Sequence, residues 1–301
     1  MLYLSTRNKT DSFTAYRATH NDTTPDGGLY VPLRLTAYTG DEIQAFRRMS
    51  FGEAVAKVLN TFISEQLTGW DVDFCIGRAP IKLETIGHKT SVAELWHNPE
   101  GSYEVTRNTL YSRIYSTSDT PSAWAMIAID IAILFGVYSQ MTECDEFDIS
   151  ISEEKKSMVI AAWYAKKLGL PIGQILLTCG EHSNGWDFIR DGIVRGGAFF
   201  GIAEYILFDT FGFETVAECI AAIGKKRTYK IDPELLPQIT DHLRVSVVGK
   251  SRADDIVKSL RRINGYHIDR SAAAAFGGLQ DFRSQVGEGK LTLLISEAKP
   301  D

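Results

Sequence analysis

Apolar and polar positions alternate along the chain in two recognisable rhythms. From Met49 to Phe62, apolar residues recur at spacings of three and four, which predicts an amphipathic helix. The stretch from Pro121 to Gln140 is more uniformly apolar and predicts a buried helix. From Phe147 to Ile151 apolar and polar residues alternate, which predicts a strand, and 175–177 is a shorter buried-strand candidate.

The remaining signals extend the same order of elements. Ser152 has the features of a helix N-cap, with Glu153 and Glu154 in a first turn whose helix stops at Gly169. The turn Pro25 to Gly28 is followed by a predicted extended stretch, 29–32. A capping box of Ser251 and Asp254 predicts the start of a helix that ends at Asn264. The other predicted elements are helices at 183–191, 199–210, 214–224 and 272–285 and strands at 245–248 and 291–295. Strands that alternate with helices predict a layered α/β fold with a mainly parallel sheet.

Composition narrows the class of protein. The 301 residues are 44% hydrophobic and 23% charged, which is typical of a globular chain with a substantial core. The net charge of −6 disfavours nucleic-acid binding. The most apolar stretch, 123–138, is short and interrupted by Asp130, so no membrane span and no secretory signal are expected. The scattered cysteines and histidines predict no metal site and favour a cytoplasmic protein with reduced thiols.

One generic motif is incomplete. Gly249, Lys250 and Ser251 look like the end of a phosphate-binding P-loop, but Arg244 stands where that loop needs its first glycine. A nucleotide-binding P-loop is therefore not expected here.

Several longer segments resemble a known family. They are Tyr3 to Arg7, Pro25 to Pro32, Trp163 to Ile172, Glu204 to Gly212 and Gly265 to Asp269. In this order they are similar to segments of threonine synthase, a pyridoxal-phosphate (PLP) enzyme of the tryptophan synthase β type. The resemblance implies a threonine-synthase-like N-terminal subdomain over 1–90 and a truncated PLP-enzyme-like α/β domain over 91–301.

The resemblance also shows where this chain departs from the family. The family binds PLP through the lysine of a motif like E-L-F-H-G-P-T-L-A-F-K-D, and the matching stretch here places Glu104 at the lysine position. A carboxylate cannot form an imine, so covalent capture of the cofactor is not expected. The prediction is therefore that this chain has no cofactor and has lost PLP, the cofactor of the family.

The phosphate loop of the family also has no counterpart. Its glycines admit a phosphate to a helix N-terminus, whereas this chain carries Glu153, Glu154, Lys155, Lys156 and Ser157. The two carboxylates would repel a phosphate dianion, and the two lysines would compensate only in part.

Two further parts differ. Glu297 replaces a hydroxyl residue that the family places near the pyridine nitrogen of PLP. The resemblance also implies that the family's small domain, with its substrate-binding S-G-D-T-G loop, is missing from this chain, which would explain a deficit of about one domain. The helix that follows the small domain in the family begins with a motif like N-S-x-N-W-A-R. The matching stretch here has Thr120, Ala123 and Met126 in place of Asn, Asn and Arg.

These differences favour a pseudoenzyme or a binding or regulatory protein on the threonine synthase scaffold. One alternative is an active PLP enzyme that uses Lys82, Lys89 or Lys155. Another is new acid–base chemistry by Glu104, His97 and Glu94, since two carboxylates and a histidine can divide proton-transfer roles.

A missing domain would also uncover surface. We therefore expect a homodimer or a protein partner, with Trp124, Met126 and Phe135 as candidates for the exposed surface and ordinary core packing as the alternative for each.

Overall fold

The computed structural model describes residues 1–63, 66–78, 80–115, 120–142 and 144–300. The strands are β1 (Leu2–Ser5), β2 (Ser12–Thr14), β3 (Tyr30–Pro32), β4 (Lys82–Gly87), β5 (Thr90–Glu94), β6 (Phe147–Ser152), β7 (Ile172–Cys179), β8 (Ile193–Arg195), β9 (Thr228–Lys230), β10 (Leu243–Val247) and β11 (Leu291–Ser296). The helices are α1 (Ala15–His20), α2 (Gly40–Phe46), α3 (Phe51–Phe62), α4 (Gly69–Ile76), α5 (Tyr103–Tyr115), α6 (Ala123–Gln140), α7 (Lys156–Lys167), α8 (Asn184–Asp191), α9 (Phe200–Phe211), α10 (Phe213–Lys226), α11 (Pro237–Thr240), α12 (Lys250–Asn264) and α13 (Arg270–Val286).

A six-stranded sheet organises the fold, in the order β10-β7-β6-β11-β5-β4. Every neighbouring pair is parallel except β4 with β5, which is antiparallel. The layered α/β fold with a mainly parallel sheet is thus confirmed. Strand β6 is buried along its whole length, because helices cover both faces of the sheet.

Helix α6 is the core helix of the molecule. It is long and apolar enough to cross a membrane by composition alone, but 83% of it is buried inside the protein. Trp124 and Phe135 are 1% and 0% exposed, so they pack in the core and do not form an exposed surface. Met126 is half-buried. A homodimer or partner complex stays a prediction that these residues do not support.

The amino-terminal strands form a small antiparallel sheet, β2-β1-β3, and hydrogen bonds connect this region to the rest of the protein. The Tyr3 hydroxyl donates to the Phe62 carbonyl over 3.0 Å. The Arg7 guanidinium donates twice to the buried carboxylate of Glu204 on α9, over 3.0 and 2.9 Å. The Thr6 hydroxyl donates to the same carboxylate over 2.5 Å. This segment is therefore part of the main core.

Two predicted helix starts are wrong. Helix α7 begins at Lys156 after an uncapped Lys155, not at Ser152, because Glu153 turns away to accept hydrogen bonds from the Gly180 N–H and the Ser183 hydroxyl. Helix α12 begins at Lys250 with Gly249 as its N-cap, so the predicted capping box of Ser251 and Asp254 does not form.

The connection between α5 and α6 is short. Only residues 116–122 join the two helices, and 116–119 lie outside the described residues. In this chain no domain stands between α5 and α6. The predicted boundary between residues 90 and 91 falls inside β5, within the main sheet, and the two-subdomain division stays a prediction.

Candidate functional site

A cavity of about 620 Å³ lies at the carboxyl ends of β6 and β11. The chain runs from β6 outward to β7 and β10 and then returns to β11 on the other side of β6. Ligands of open α/β sheets bind at such a reversal of strand order, outside the carboxyl ends of the strands. We call this space the candidate cavity. Its lining includes seven residues predicted from the sequence: Ala123, Met126, Glu154, Lys155, Lys156, Ser157 and Glu297.

Arg107 on α5 is a candidate site residue that the sequence prediction did not include. Its guanidinium lies in the lining, stacks on the Tyr103 ring at 4.8 Å and donates to the Ser157 hydroxyl over 3.2 Å. It also lies 3.5 Å from the fully buried Asp130 carboxylate, which accepts a 2.6 Å hydrogen bond from the Tyr103 hydroxyl. Burial raises the pKa of Asp130 to about 6, although the Arg107 charge acts in the opposite direction.

Lys155 and Glu297 form an ion pair at the same cavity, 3.2 Å apart. The Glu297 side chain is only 9% exposed. Its other oxygen, Oε1, has no hydrogen-bond partner among the described residues, and the same holds for Arg107 Nε and the Tyr205 hydroxyl. All three side chains line the candidate cavity. Buried polar atoms without partners are rare in native proteins, so this cavity offers groups that a ligand or water could satisfy.

Three of the predicted residues lie elsewhere. Glu104 is exposed on the first turn of α5 and is not in the lining, whereas Arg107, three positions later, is. Glu153 holds the loop between β7 and α8. Thr120 is exposed before α6 and is not in the lining.

The predicted acid–base trio is divided. Glu94 and His97 line a separate cavity of about 470 Å³, and Glu104 is not in its lining. The buried Glu94 carboxylate contacts His97 Nε2 at 2.7 Å and accepts the Tyr266 hydroxyl at 2.7 Å. Burial and this carboxylate raise the pKa of Tyr266 above its ordinary value. The structure therefore keeps a Glu94–His97 pair but does not bring Glu104 to it.

The three lysines considered as alternative PLP-binding residues lie in different parts of the structure. Lys155 lines the candidate cavity. Lys82 pairs with Glu84 beside the other cavity, and Lys89 lies on the exposed turn between β4 and β5, where its amine donates to the Gly289 carbonyl. Among the described residues there is no cluster of histidine, cysteine and carboxylate side chains that could hold a metal ion.

Comparison with solved structures identifies the fold. The structure of PLP-bound threonine synthase from Brucella melitensis superposes with a TM-score of 0.82 at 15% identity, over 100% of this chain and 89% of that one. Yeast threonine synthase gives 0.83 at 12% identity, over 99% and 87%. The Escherichia coli enzyme gives 0.73 at 13% identity, over 100% and 89%. The chain has the fold of threonine synthase.

The sequence itself carries a part of this likeness. Residues 2–79 match the family model described as threonine synthase N terminus. A search of curated protein sequences returns no match. The threonine-synthase-like fold and the type II fold of PLP enzymes, both implied by the sequence segments, are thus confirmed, while identities this low leave the chemistry of the site to its own residues.

Proposed function

We propose that this threonine-synthase-like protein binds a small anionic molecule non-covalently in the candidate cavity and does not hold PLP as a Schiff base. It would act as a binding or regulatory protein and not as a threonine synthase.

The position of Glu104 and Arg107 on α5 carries the proposal. The residue that the resemblance aligns with the cofactor lysine is a carboxylate, it is exposed, and it is not in the cavity lining. One turn later, the Arg107 guanidinium faces the cavity instead. An arginine does not form an imine with an aldehyde at neutral pH, but it binds carboxylates and phosphates through two or more N–H groups. The residues of the cavity therefore fit a covalently bound PLP poorly and a non-covalent anion well.

The polar groups of the candidate cavity indicate the chemical class of its ligand. Arg107 Nε and the uncapped N-terminus of α7 are donors that suit an anionic group. Glu297 Oε1 is an acceptor that suits a donor on the same ligand. Leu29, Ile127 and Ile202 add an apolar wall. The ligand class that fits is a small molecule with an anionic group, a hydrogen-bond donor and an apolar body.

A second candidate is a divergent PLP enzyme that uses Lys155. The observation in its favour is that Lys155 lines the candidate cavity. The observation against it is that the Lys155 amine is already held by the Glu297 carboxylate.

A covalent-labelling experiment separates the two candidates. The purified protein is incubated with PLP, reduced with borohydride and digested, and the peptides are examined by mass spectrometry. We expect no stoichiometric adduct on Lys155. A stoichiometric adduct that disappears in Lys155→Arg would overturn the proposal in favour of the PLP enzyme.

A binding titration tests the proposed role of Arg107. Calorimetry with PLP as the probe of an anionic ligand should give reversible binding that Arg107→Ala weakens by about tenfold or more, since a charge-assisted pair is lost. Arg113 on the same helix is the matched control, because it is half-exposed and pairs with Asp71 outside the cavity. Equal affinities of the wild type, Arg107→Ala and Arg113→Ala, or no binding at all, would contradict the proposal.

A further inference from the structure

Strand β10 forms one edge of the six-stranded sheet, and a groove of about 630 Å³ lies along it between α8 and α13. The two helices cover opposite faces of the sheet. Leu176 of β7 packs in one core cluster with Leu279 of α13, whereas its neighbour Leu177 packs in another. Ile189 of α8 belongs to that second cluster. A space bordered by both helices therefore lies beyond the edge of the sheet. We call it the β10 groove, and no described residue lines both this groove and the candidate cavity.

The backbone of β10 presents hydrogen-bonding groups to this groove. The His242 carbonyl and the Val248 N–H both pair with β7. Because side-by-side pairing alternates along a parallel ladder, the even-numbered residues of β10 bond to β7 and the odd-numbered ones face outward. The outward N–H and C=O groups of Leu243, Val245 and Val247 have no hydrogen-bond partner among the described residues. Such an edge is a template for one further strand.

The charged side chains that line the groove are positive. Within the described part of the chain they are Arg190 of α8 and Arg244 of β10. Arg244 is exposed, and none of the ion pairs formed by the described residues includes it. Arg190 stacks on the Trp186 ring at 5.0 Å, and its Nε lies 4.0 Å from the exposed Asp191, a separation at which an ion pair contributes little. Both guanidinium groups can therefore bind a carboxylate that enters the groove.

The walls beside these arginines are largely apolar. Ile189 and Leu236 lie on the α8 side, and Phe282 and Val286 lie on the α13 side. Val286 is 60% exposed, which is unusual for a large apolar side chain next to an open sheet edge. Successive side chains of an extended segment point to opposite faces, so each wall would receive every second side chain.

We propose that the β10 groove binds an extended acidic segment of a partner protein as a seventh strand of the sheet. The backbone of the segment pairs with the outward groups of Val245 and its neighbours. Its carboxylates pair with Arg190 and Arg244, and its apolar side chains pack on the two walls.

A second copy of this chain fits the β10 groove less well than an acidic segment does. Two copies paired edge to edge would bring Arg190 and Arg244 of both into one interface, and the described lining holds no carboxylate to offset them. Each β10 also lies between α8 and α13 of its own copy, so these helices would meet as the strands approach. Positive charge on an edge strand is itself a device against pairing between copies.

Fluorescence anisotropy of a labelled peptide tests the proposal on the whole protein. The probe is a capped peptide of two valines, two glutamates and two valines, which presents one glutamate to each wall when it is extended. The control peptide has lysine in place of each glutamate. We expect the acidic peptide to bind at least about tenfold more tightly, because only its charges complement the arginines. Equal binding of the two peptides, or no binding of the acidic one at about millimolar concentration, would overturn the proposal.

Two charge reversals locate the binding. Arg190→Glu and Arg244→Glu should each weaken binding of the acidic peptide about fivefold or more, since an attraction becomes a repulsion. Arg262→Glu is the matched control, because Arg262 is exposed on α12 and is not in the lining. Unchanged affinity in both Arg190→Glu and Arg244→Glu would contradict the proposal.

Val245→Pro tests the strand pairing itself. Proline removes the outward N–H of Val245 and leaves the hydrogen bonds of β10 to β7, so the sheet should be kept while peptide binding falls about fivefold or more. Val245→Ala keeps this N–H and is the control, and thermal unfolding shows whether each variant folds. Equal affinities of the folded variants would count against the added strand, and if Val245→Pro does not fold, the two charge reversals decide.

Two further measurements separate this proposal from the alternatives. Light scattering should show that the oligomeric state of the protein is the same in Val245→Pro as in the wild type. A dimer that Val245→Pro dissociates would assign the edge to a second copy and overturn the proposal. Arg107→Ala, which tests the proposed function, should leave peptide binding unchanged, because Arg107 is not in the lining of the groove. The two proposals can therefore fail independently.

Discussion

Two buried polar networks of this protein differ in how completely they are satisfied. The amino-terminal network joins Thr6 and Arg7 to the Glu204 carboxylate, and both carboxylate oxygens accept hydrogen bonds. The cavity network joins Arg107, Asp130, Ser157 and Tyr103. Here Arg107 Nε and Asp130 Oδ2 have no hydrogen-bond partner among the described residues, nor do the nearby Tyr205 hydroxyl and Glu297 Oε1.

This difference distinguishes a network that stabilises the fold from one that borders a candidate binding site. A completed network stabilises one conformation, because each buried charge is repaid by its partners. An incomplete network costs stability in the free protein and gains it when something supplies the missing partners. The sequence segments that resemble threonine synthase include the first network, and the segments that depart from the family surround the second. Variants that disturb each network can test this contrast.

Removal of the Glu204 carboxylate should have the largest effect. In Glu204→Ala, Arg7 and Thr6 lose their shared acceptor in a region where Glu204 itself is 1% exposed, and we expect a loss of about 3 kcal/mol in the free energy of unfolding. Urea denaturation measures it.

The control for this change is an exposed pair in the same part of the chain. Lys9 and Glu214 are 64% and 70% exposed, so Glu214→Ala should change stability by less than about 0.5 kcal/mol. A similar loss in both variants would remove the distinction between the buried network and ordinary surface pairs.

The pH dependence of stability should come next in size. The folded-state pKa of Asp130, raised to about 6, exceeds the ordinary value of 3.8. The folded protein thus holds this proton more tightly than the unfolded chain, so the contribution is present at low pH and is lost as the pH rises through 6. Between pH 4.5 and 7 the wild type should lose about 2 kcal/mol relative to Asp130→Asn, which cannot titrate.

The measurement is urea denaturation of both proteins at the two pH values. Parallel pH profiles would mean that Asp130 stays ionised throughout and that Arg107 already satisfies it. The cavity network would then be complete, like the amino-terminal one.

The smallest expected difference is also the most direct comparison of the two regions. Tyr3 and Tyr205 are both buried; the Tyr3 hydroxyl donates to the Phe62 carbonyl, whereas the Tyr205 hydroxyl has no partner within the described part of the chain. Tyr3→Phe should cost about 1 kcal/mol, whereas Tyr205→Phe should leave the free protein equally stable or slightly more stable. Thermal or urea unfolding of the two variants checks this, and an equal loss in both would show that Tyr205 is satisfied by water.

Much of the sheet could be predicted from the sequence, because its central strands are short segments of alternating or adjacent apolar residues between predicted helices. Strands β6, β7, β10 and β11 lie within a few residues of their predicted positions, and so do helices α7, α8, α9, α10, α12 and α13. The prediction did not include β1, β2, β4, β5 and α5, whereas β3 lies within the predicted extended stretch 29–32. Helix α5 has no amphipathic pattern, since its buried positions include Tyr103 and Thr106 beside polar neighbours.

The site was predicted in part. The resemblance led to Lys155, Ser157 and Glu297, which the fold brings to one cavity. It did not lead to Arg107 or Asp130, because their meeting depends on how α5 packs on α6, which no local pattern encodes. The one available signal was Asp130 itself, a charge in the middle of the most apolar stretch of the chain, which calls for a buried partner.

The place of β11 in the sheet has a consequence for biosynthesis. This strand lies between β6 and β5, yet it is translated after every other strand. Until residues 291–296 leave the ribosome, the nascent chain can form only two half-sheets, each with an unpaired inner edge. At about 5–20 residues per second, roughly 7–30 seconds separate the synthesis of β6 from that of β11. During this interval the two edges are open to pairing with other chains, and we expect chaperones to be needed for a good yield of this protein.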